Sequence, residues 1–163
     1  MKRLTKLMSV FAAGALFMGA LAGCGGSKDA GKAGDTIKVG ALLEMTGGSA
    51  SFGISSKNGI DLALKKINEK GVLGGKKLSL VVADTKSEAS EATNGMQKLV
   101  SQDKVVAVIG PNQSSAVIAA GAINNGSKVL GITPMGTNPD VTVDPKTKKT
   151  KEYNFRACFI DPF

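Results

Sequence analysis

Three observations predict an α/β fold built on a doubly wound parallel sheet. Short runs rich in Val, Ile and Leu recur along the chain without the alternation of a half-exposed strand, as strands buried on both faces do. Between them lie segments whose apolar residues recur three and four positions apart, the spacing of a helix with one buried face. The two kinds of segment alternate regularly, and strand–helix–strand units pack as right-handed crossovers on a parallel sheet.

The chain of 163 residues is long enough for one domain with its own core. It opens on a basic segment, MKRLTK, followed by an apolar run of 14 residues, Leu7 to Ala20. As a helix that run would reach about 21 Å at roughly 1.5 Å per residue, short of the roughly 30 Å hydrocarbon core of a bilayer. It reads as a signal peptide over residues 1–23 rather than a membrane span. Leu21-Ala22-Gly23-Cys24 follows at once and resembles the bacterial lipobox. That resemblance implies cleavage before Cys24, diacylglycerol on its sulfur and an acyl chain on the new amine. Two or more chains anchor a protein stably, where one does not. Residues 24–35 contain no large apolar side chain and read as a flexible tether.

The folded domain is expected over residues 36–163. Ile37–Met45 is an apolar run bounded by Gly and Ser, hence a first strand. A helix from about Phe52 to Lys70 carries Ile60, Ala63, Leu64 and Ile67 on one face and stops at Gly71, a residue suited to the C′ position. Lys77–Asp84 is a second strand. Residues 87–103 carry the next crossover helix, with Ala89, Ala92, Met96 and Leu99 on one face and Ser87 or Asp84 as its cap. The clearest βαβ unit spans Val105 to Thr137: VVAVIG, then PNQSS, then AVIAAGAINNGS, then KVLGI, then TPMGT.

Composition excludes several function classes. There is no His, which removes His-based triads and most zinc sites. Cys24 and Cys158 lack metal-like spacing, and with Cys24 lipidated Cys158 reads as a small half-buried hydrophobe. Neither a metal nor a cofactor is expected. Gly74-Gly75-Lys76 fails as a phosphate-binding loop, because the spacing is short and no Ser or Thr follows the lysine. The net charge is +8; without Lys2, Arg3 and Lys6 it is +5, from 18 basic and 13 acidic residues. The other lysines are scattered, apart from Lys146, Lys148, Lys149 and Lys151, which read as a solvated loop. No aromatics interleave with them, so nucleic acid is not expected as a partner.

In an open parallel sheet, ligands lie beyond the carboxyl ends of the strands. All candidate site residues fall there. Thr46 to Phe52 follow the first strand, and Asp84-Thr85 end the second. Pro111, Asn112, Gln113, Ser114 and Ser115 follow the third, and Thr133 to Thr137 the fourth. Ser114 also opens a helix, where backbone N–H groups and the dipole favour an anion such as a carboxylate. The hydroxyls of Ser114 and Thr137 add donors, the carbonyl of Met135 suits an ammonium, and Phe52 offers an apolar wall. Each residue alone also has a plain reading: a cap for Ser114, a turn for Thr137, core packing for Phe52.

The stretches IKVGALLEMTGGSASFG, NGIDLALKKINEKGVLGGKKLSLVVAD, VVAVIGPNQSS, ITPMGTNP and YNFRACFIDPF cover nearly all of residues 37–163. Together they resemble the periplasmic-binding-protein type I receptors of branched-chain amino-acid ABC transporters. The resemblance implies that Ser114 and Thr137 hold a ligand α-carboxylate and that Met135 gives its carbonyl to the α-ammonium. Asn112, Gln113 and Gly136 belong to the same loops, and Phe52 lines the pocket. It also implies a lipid-anchored, extracytoplasmic protein that is not an enzyme and whose partners are an amino acid and ABC permease subunits. Two positions depart from the pattern: Met135 is larger than the residue usual in amino-acid binders, and neither Ser87 nor Gln113 is the Cys that some members carry. Family members have two lobes, so the chain reads as the incomplete first lobe, lacking the second and the carboxylate that pairs with the ligand's ammonium. Alternatives are a sensing or structural lipoprotein, a binder of amides, urea or aromatic acids, and an enzyme using Asp84 and Glu44 as acid and base.

Overall fold

The computed structural model describes residues 36–71 and 74–162. The signal peptide, the tether and Cys24 lie outside them. Five strands form one sheet in the order β2-β1-β3-β4-β5, all parallel. They are β1 (Thr36–Leu43), β2 (Lys77–Asp84), β3 (Ala107–Ile109), β4 (Leu130–Thr133) and β5 (Asn154–Arg156). The crossovers are α1 (Ala50–Lys70), α2 (Ala89–Ser101) and α3 (Ser114–Ser127).

The predicted elements are present with small shifts at their ends. β1 stops at Leu43, because Glu44 and Met45 leave the ladder to build the loop beyond it. α1 starts at Ala50, so Phe52 lies in its first turn rather than in a loop. Gly71 closes α1 in the left-handed conformation, φ 65°, as expected of a C′ glycine. The cap expected for α2 is corrected: Glu88 holds the N-cap position without a side-chain bond, and Asp84 and Ser87 are engaged elsewhere.

The sheet is covered on both faces, and β1 shows how. Leu42 points into a core with Met96 and Leu99 of α2, Val108 of β3 and Ala116 and Ala120 of α3. Its neighbours Ala41 and Leu43 point the other way, onto Ile60 of α1. These side chains are almost completely buried. At roughly 1.5–3 kcal/mol for each large apolar side chain, the two clusters dominate the fold's stability. The strand order reverses at β1, whose neighbours are β2 and β3. Such a switch point opens a crevice at the carboxyl ends of the two strands that flank it.

Candidate functional site

The loops at the carboxyl rim are tied in series by their own polar side chains. The first tie joins the β1 and β2 ends. Asp84 Oδ1 accepts from the amides of Met45 (2.9 Å) and Lys86 (2.8 Å), and Thr46 Oγ1 donates to Oδ2 (2.7 Å). Ser87 Oγ donates to the Thr46 carbonyl (2.9 Å) and accepts from the Ser49 amide (3.0 Å). Burial alone would raise the Asp84 carboxyl; the bonds from Thr46, Lys86 and Met45 outweigh it and hold the group below its ordinary value.

The second tie joins β1 to β3. Glu44 is fully buried, and its Oε1 accepts from the amides of Asn112 and Gln113, both at 3.1 Å. Gln113 Nε2 donates to Ser49 Oγ (2.9 Å), and Ser56 Oγ of α1 donates to Asn112 Oδ1 (3.1 Å). The third tie joins β3 to β4: Thr133 Oγ1 donates to the Pro111 carbonyl (2.6 Å) and accepts from the Gly136 amide (2.9 Å). The fourth uses Arg156 of β5. Its guanidinium donates to the carbonyls of Gly136 (2.9 Å), Thr137 (2.8 Å) and Asn138 (2.9 Å) and to Thr142 Oγ1 (3.0 Å).

This frame brings most of the expected residues together. Ser114 Oγ accepts from the amide of Asn138 at 3.3 Å, so Ser114 and Thr137 share one rim, one residue apart in contact. Gln113 is the N-cap of α3 and its side chain does not cap, which leaves the amides of Ser114, Ser115 and Ala116 with no intrahelical acceptor. The Ser114 hydroxyl proton is free to donate. Met135 and Phe52 are about half exposed, so Phe52 is not a core residue. Asn112 is buried and its Nδ2 has no partner.

Some expected donors are already spent. The amides of Asn112 and Gln113 face Glu44, and that of Gly136 faces Thr133. Thr137 Oγ1 donates to Asp161 Oδ2 at 2.7 Å, and the Asp161 amide returns a bond to the Thr137 carbonyl (3.1 Å). Glu44, Arg156 and Asp161 are the residues that sequence reasoning did not place at the rim. Glu44 carries a signal, since it is a lone acid at the end of an apolar strand. Glu44, fully buried against two amides, has no open face for acid–base chemistry with Asp84.

A groove of about 350 Å³ runs from the rim turn at Pro134 between α1 and the sheet, lined by Val39, Ile60, Leu64 and Ile109 among others. Its walls are almost wholly apolar and offer a zwitterion no partner. Among the described residues no group of three or more His, Cys, Asp or Glu is placed to hold a metal ion.

Residues 36–159 match the family model described as periplasmic binding protein. An amino acid binding protein of Pseudomonas aeruginosa is 38% identical over 106 residues, 65% of this chain and 28% of that protein. A branched-chain amino acid transporter substrate-binding protein of Streptococcus pneumoniae, solved in complex with isoleucine, superposes with a TM-score of 0.70 at 37% identity. That match covers 77% of this chain and 34% of the other. A solute-binding protein of an ABC transporter from Rhodopseudomonas palustris, solved with 3,4-dihydroxybenzoic acid, superposes with a TM-score of 0.68 at 29% identity, over 77% and 32% of the two chains. The chain thus spans about a third of the length of the relatives it matches.

Proposed function

The chain belongs to the periplasmic binding protein family, whose model its residues 36–159 match; from that premise we propose that it supplies the carboxylate-binding rim of a substrate-binding protein for branched-chain or related amino acids. The observation that carries the reading is the contact between the Asn138 amide and Ser114 Oγ, which sets Ser114 beside Thr137 at the open end of α3. In this reading the ligand carboxylate lies against the free amides of Ser114 and Ser115 and the Ser114 hydroxyl. A helix N-terminus favours an anion there. Thr137 Oγ1 turns from Asp161 to the ligand, exchanging one carboxylate for another. The Met135 carbonyl accepts a hydrogen bond from the ammonium, and Phe52 and Met135 flank the apolar side chain.

The protein acts by binding, not by catalysis, and delivers its ligand to the permease subunits of an ABC importer. A lipid on Cys24 holds it at the extracytoplasmic face of a membrane. Aromatic acids are the second reading, favoured by the Rhodopseudomonas relative solved with 3,4-dihydroxybenzoic acid. A ligand without an ammonium would use the same amides and leave the Met135 carbonyl idle.

Titration of the isotope-labelled chain with isoleucine and with 3,4-dihydroxybenzoate, followed by amide chemical shifts, tests both readings. Isoleucine should move the Ser114, Ser115 and Thr137 amides saturably, and Ser114→Ala should weaken the effect severalfold. Shifts only around Ile60 and Ile109, or none at all, would overturn the assignment. A response to the aromatic acid alone would select the second reading.

A further inference from the structure

Parallel topology puts every helix-to-strand turn on one edge of the sheet and every strand-to-helix loop on the other. In this chain that division also sorts charge. The edge formed by the helix-to-strand turns carries Lys38, Lys70, Lys76, Lys77, Lys104 and Lys128, all exposed. The described acids on this edge are Glu69, Asp103 and Glu152, and each sits by a lysine outside that set. Glu69 approaches Lys65 at 4.0 Å, Asp103 pairs with Lys98 at 2.8 Å, and Glu152 follows Lys151 in the chain. Lys38 and Lys77 donate to the carbonyls of Asp103 and Asn68, but none of the six lysines forms an ion pair with a described acid. The ligand-bearing rim has the opposite balance: Glu44, Asp84, Glu88, Glu91, Asp140 and Asp161 lie there, against Arg156 and Lys86, the latter pairing with Glu91 at 3.6 Å.

We propose that, between deliveries to the permease, the helix-to-strand edge docks on an anionic phospholipid surface and turns the ligand-bearing rim away from it. Three features of the edge fit lipid headgroups. All six cations are lysines, compact charges that match a diffuse negative surface, while the described arginine, Arg156, is spent on carbonyls at the other rim. The described residues of the turns hold one aromatic side chain, Tyr153 beside Glu152, and no run of them on which successive nucleic-acid bases would stack. The chain that precedes Thr36 joins the domain on this same edge, at the start of β1. The choice of lipid over another polyanion rests on the proposed anchor at Cys24; the charge separation does not.

The test is vesicle co-sedimentation of the full chain carrying C24A, K2Q, R3Q and K6Q, which removes lipid attachment and the N-terminal charges from the measurement. Vesicles of phosphatidylcholine are compared with vesicles containing about a third phosphatidylglycerol. A lysine near an anionic membrane contributes about fivefold in partitioning. The chain should prefer the anionic vesicles at least tenfold at ~0.1 M salt, and most of that preference should vanish near 1 M, where the screening length falls to about 3 Å. K70Q/K76Q/K104Q/K128Q should abolish it. K57E/K86E removes the same net charge elsewhere and should keep it within about twofold. Circular dichroism checks that both variants fold. Equal binding to both vesicles, equal losses in the two variants, or displacement by duplex DNA at lower concentration than by vesicles would overturn the proposal. An unacylated Cys24 in cells alongside a retained vesicle preference would count against the anchor and leave the basic edge standing.

Discussion

Asp84 sits at the end of β2 with four hydrogen bonds reaching its two oxygens, three from backbone amides and one from the Thr46 hydroxyl. An acceptor-only carboxylate suits that set; an amide side chain would turn an N–H₂ group toward Thr46 or toward an amide donor. Asp84→Asn should therefore cost about 1–2 kcal/mol at neutral pH, a figure kept low because the group is partly exposed. Its pH dependence follows from the direction of the pKa shift. The folded-state value lies below the unfolded one, so the stabilisation is fully present above the ordinary aspartate range, near pH 4, and is lost as pH falls through the folded value. Urea midpoints of the two proteins should differ at pH 7 and draw together as the pH falls below the ordinary aspartate range. A constant difference would mean that the carboxylate charge is not what holds the loop. The sequence alone places Asp84 correctly at a strand end but hides its task. Apart from Lys86, two positions on, its partners lie 38 and 39 positions away, beyond the reach of capping rules that read three or four residues.

At the scale of elements, α1 and β5 mark the two limits of what periodicity can read. The face of α1 and its glycine stop are both local patterns, and both are present as expected. β5 has three residues, Asn154, Phe155 and Arg156, of which one is apolar. It is a strand because β4 offers an unpaired edge, and that cause lies outside its own sequence. Contact between elements is equally invisible in a pattern. Gly53 is buried where α1 presses on the end of β1, and a Cβ there would stand 2.1 Å from the Glu44 carbonyl oxygen. Helix propensity favours Ala over Gly by about 1 kcal/mol. Overlap with backbone that is fixed by the Glu44 ties should outweigh it, so Gly53→Ala should destabilise by about 2 kcal/mol or more. Gly59, on the same helix with nothing within 4 Å of its added Cβ, should instead gain about 0.5–1 kcal/mol as Ala. Thermal unfolding of the pair separates packing from propensity; stabilisation in both would show that α1 can lift from the sheet without cost.

For the whole molecule, the rim as it stands sets a bound on how tightly a ligand can be held. The open end of α3 contributes up to about 2 kcal/mol to a partly buried anion. Two hydrogen bonds to a charged ligand add about 1.5–3 kcal/mol each, giving roughly 5–8 kcal/mol in all. One of those bonds, at Thr137, replaces an existing one to Asp161 and so contributes less than a new bond would. Association itself costs an estimated 4–15 kcal/mol. Little or nothing is left over, whereas a micromolar complex needs about −8 kcal/mol. The other groups of the rim do not close the gap: Asn112, Gln113 and Gly136 have committed their amides within the frame, and Phe52 and Met135 each bury only one side of an apolar ligand. Calorimetric titration of this 163-residue chain with leucine should accordingly show no saturable binding below the millimolar range. Asp161→Asn should improve whatever binding the shift titration detects, because it weakens the internal competitor for Thr137 Oγ1 and removes a negative charge beside an incoming carboxylate. Micromolar affinity in the unaltered chain would show that the rim holds more donors than Ser114, Thr137 and the first turn of α3 supply, with the unpartnered Nδ2 of Asn112 the first group to test by Asn112→Ala.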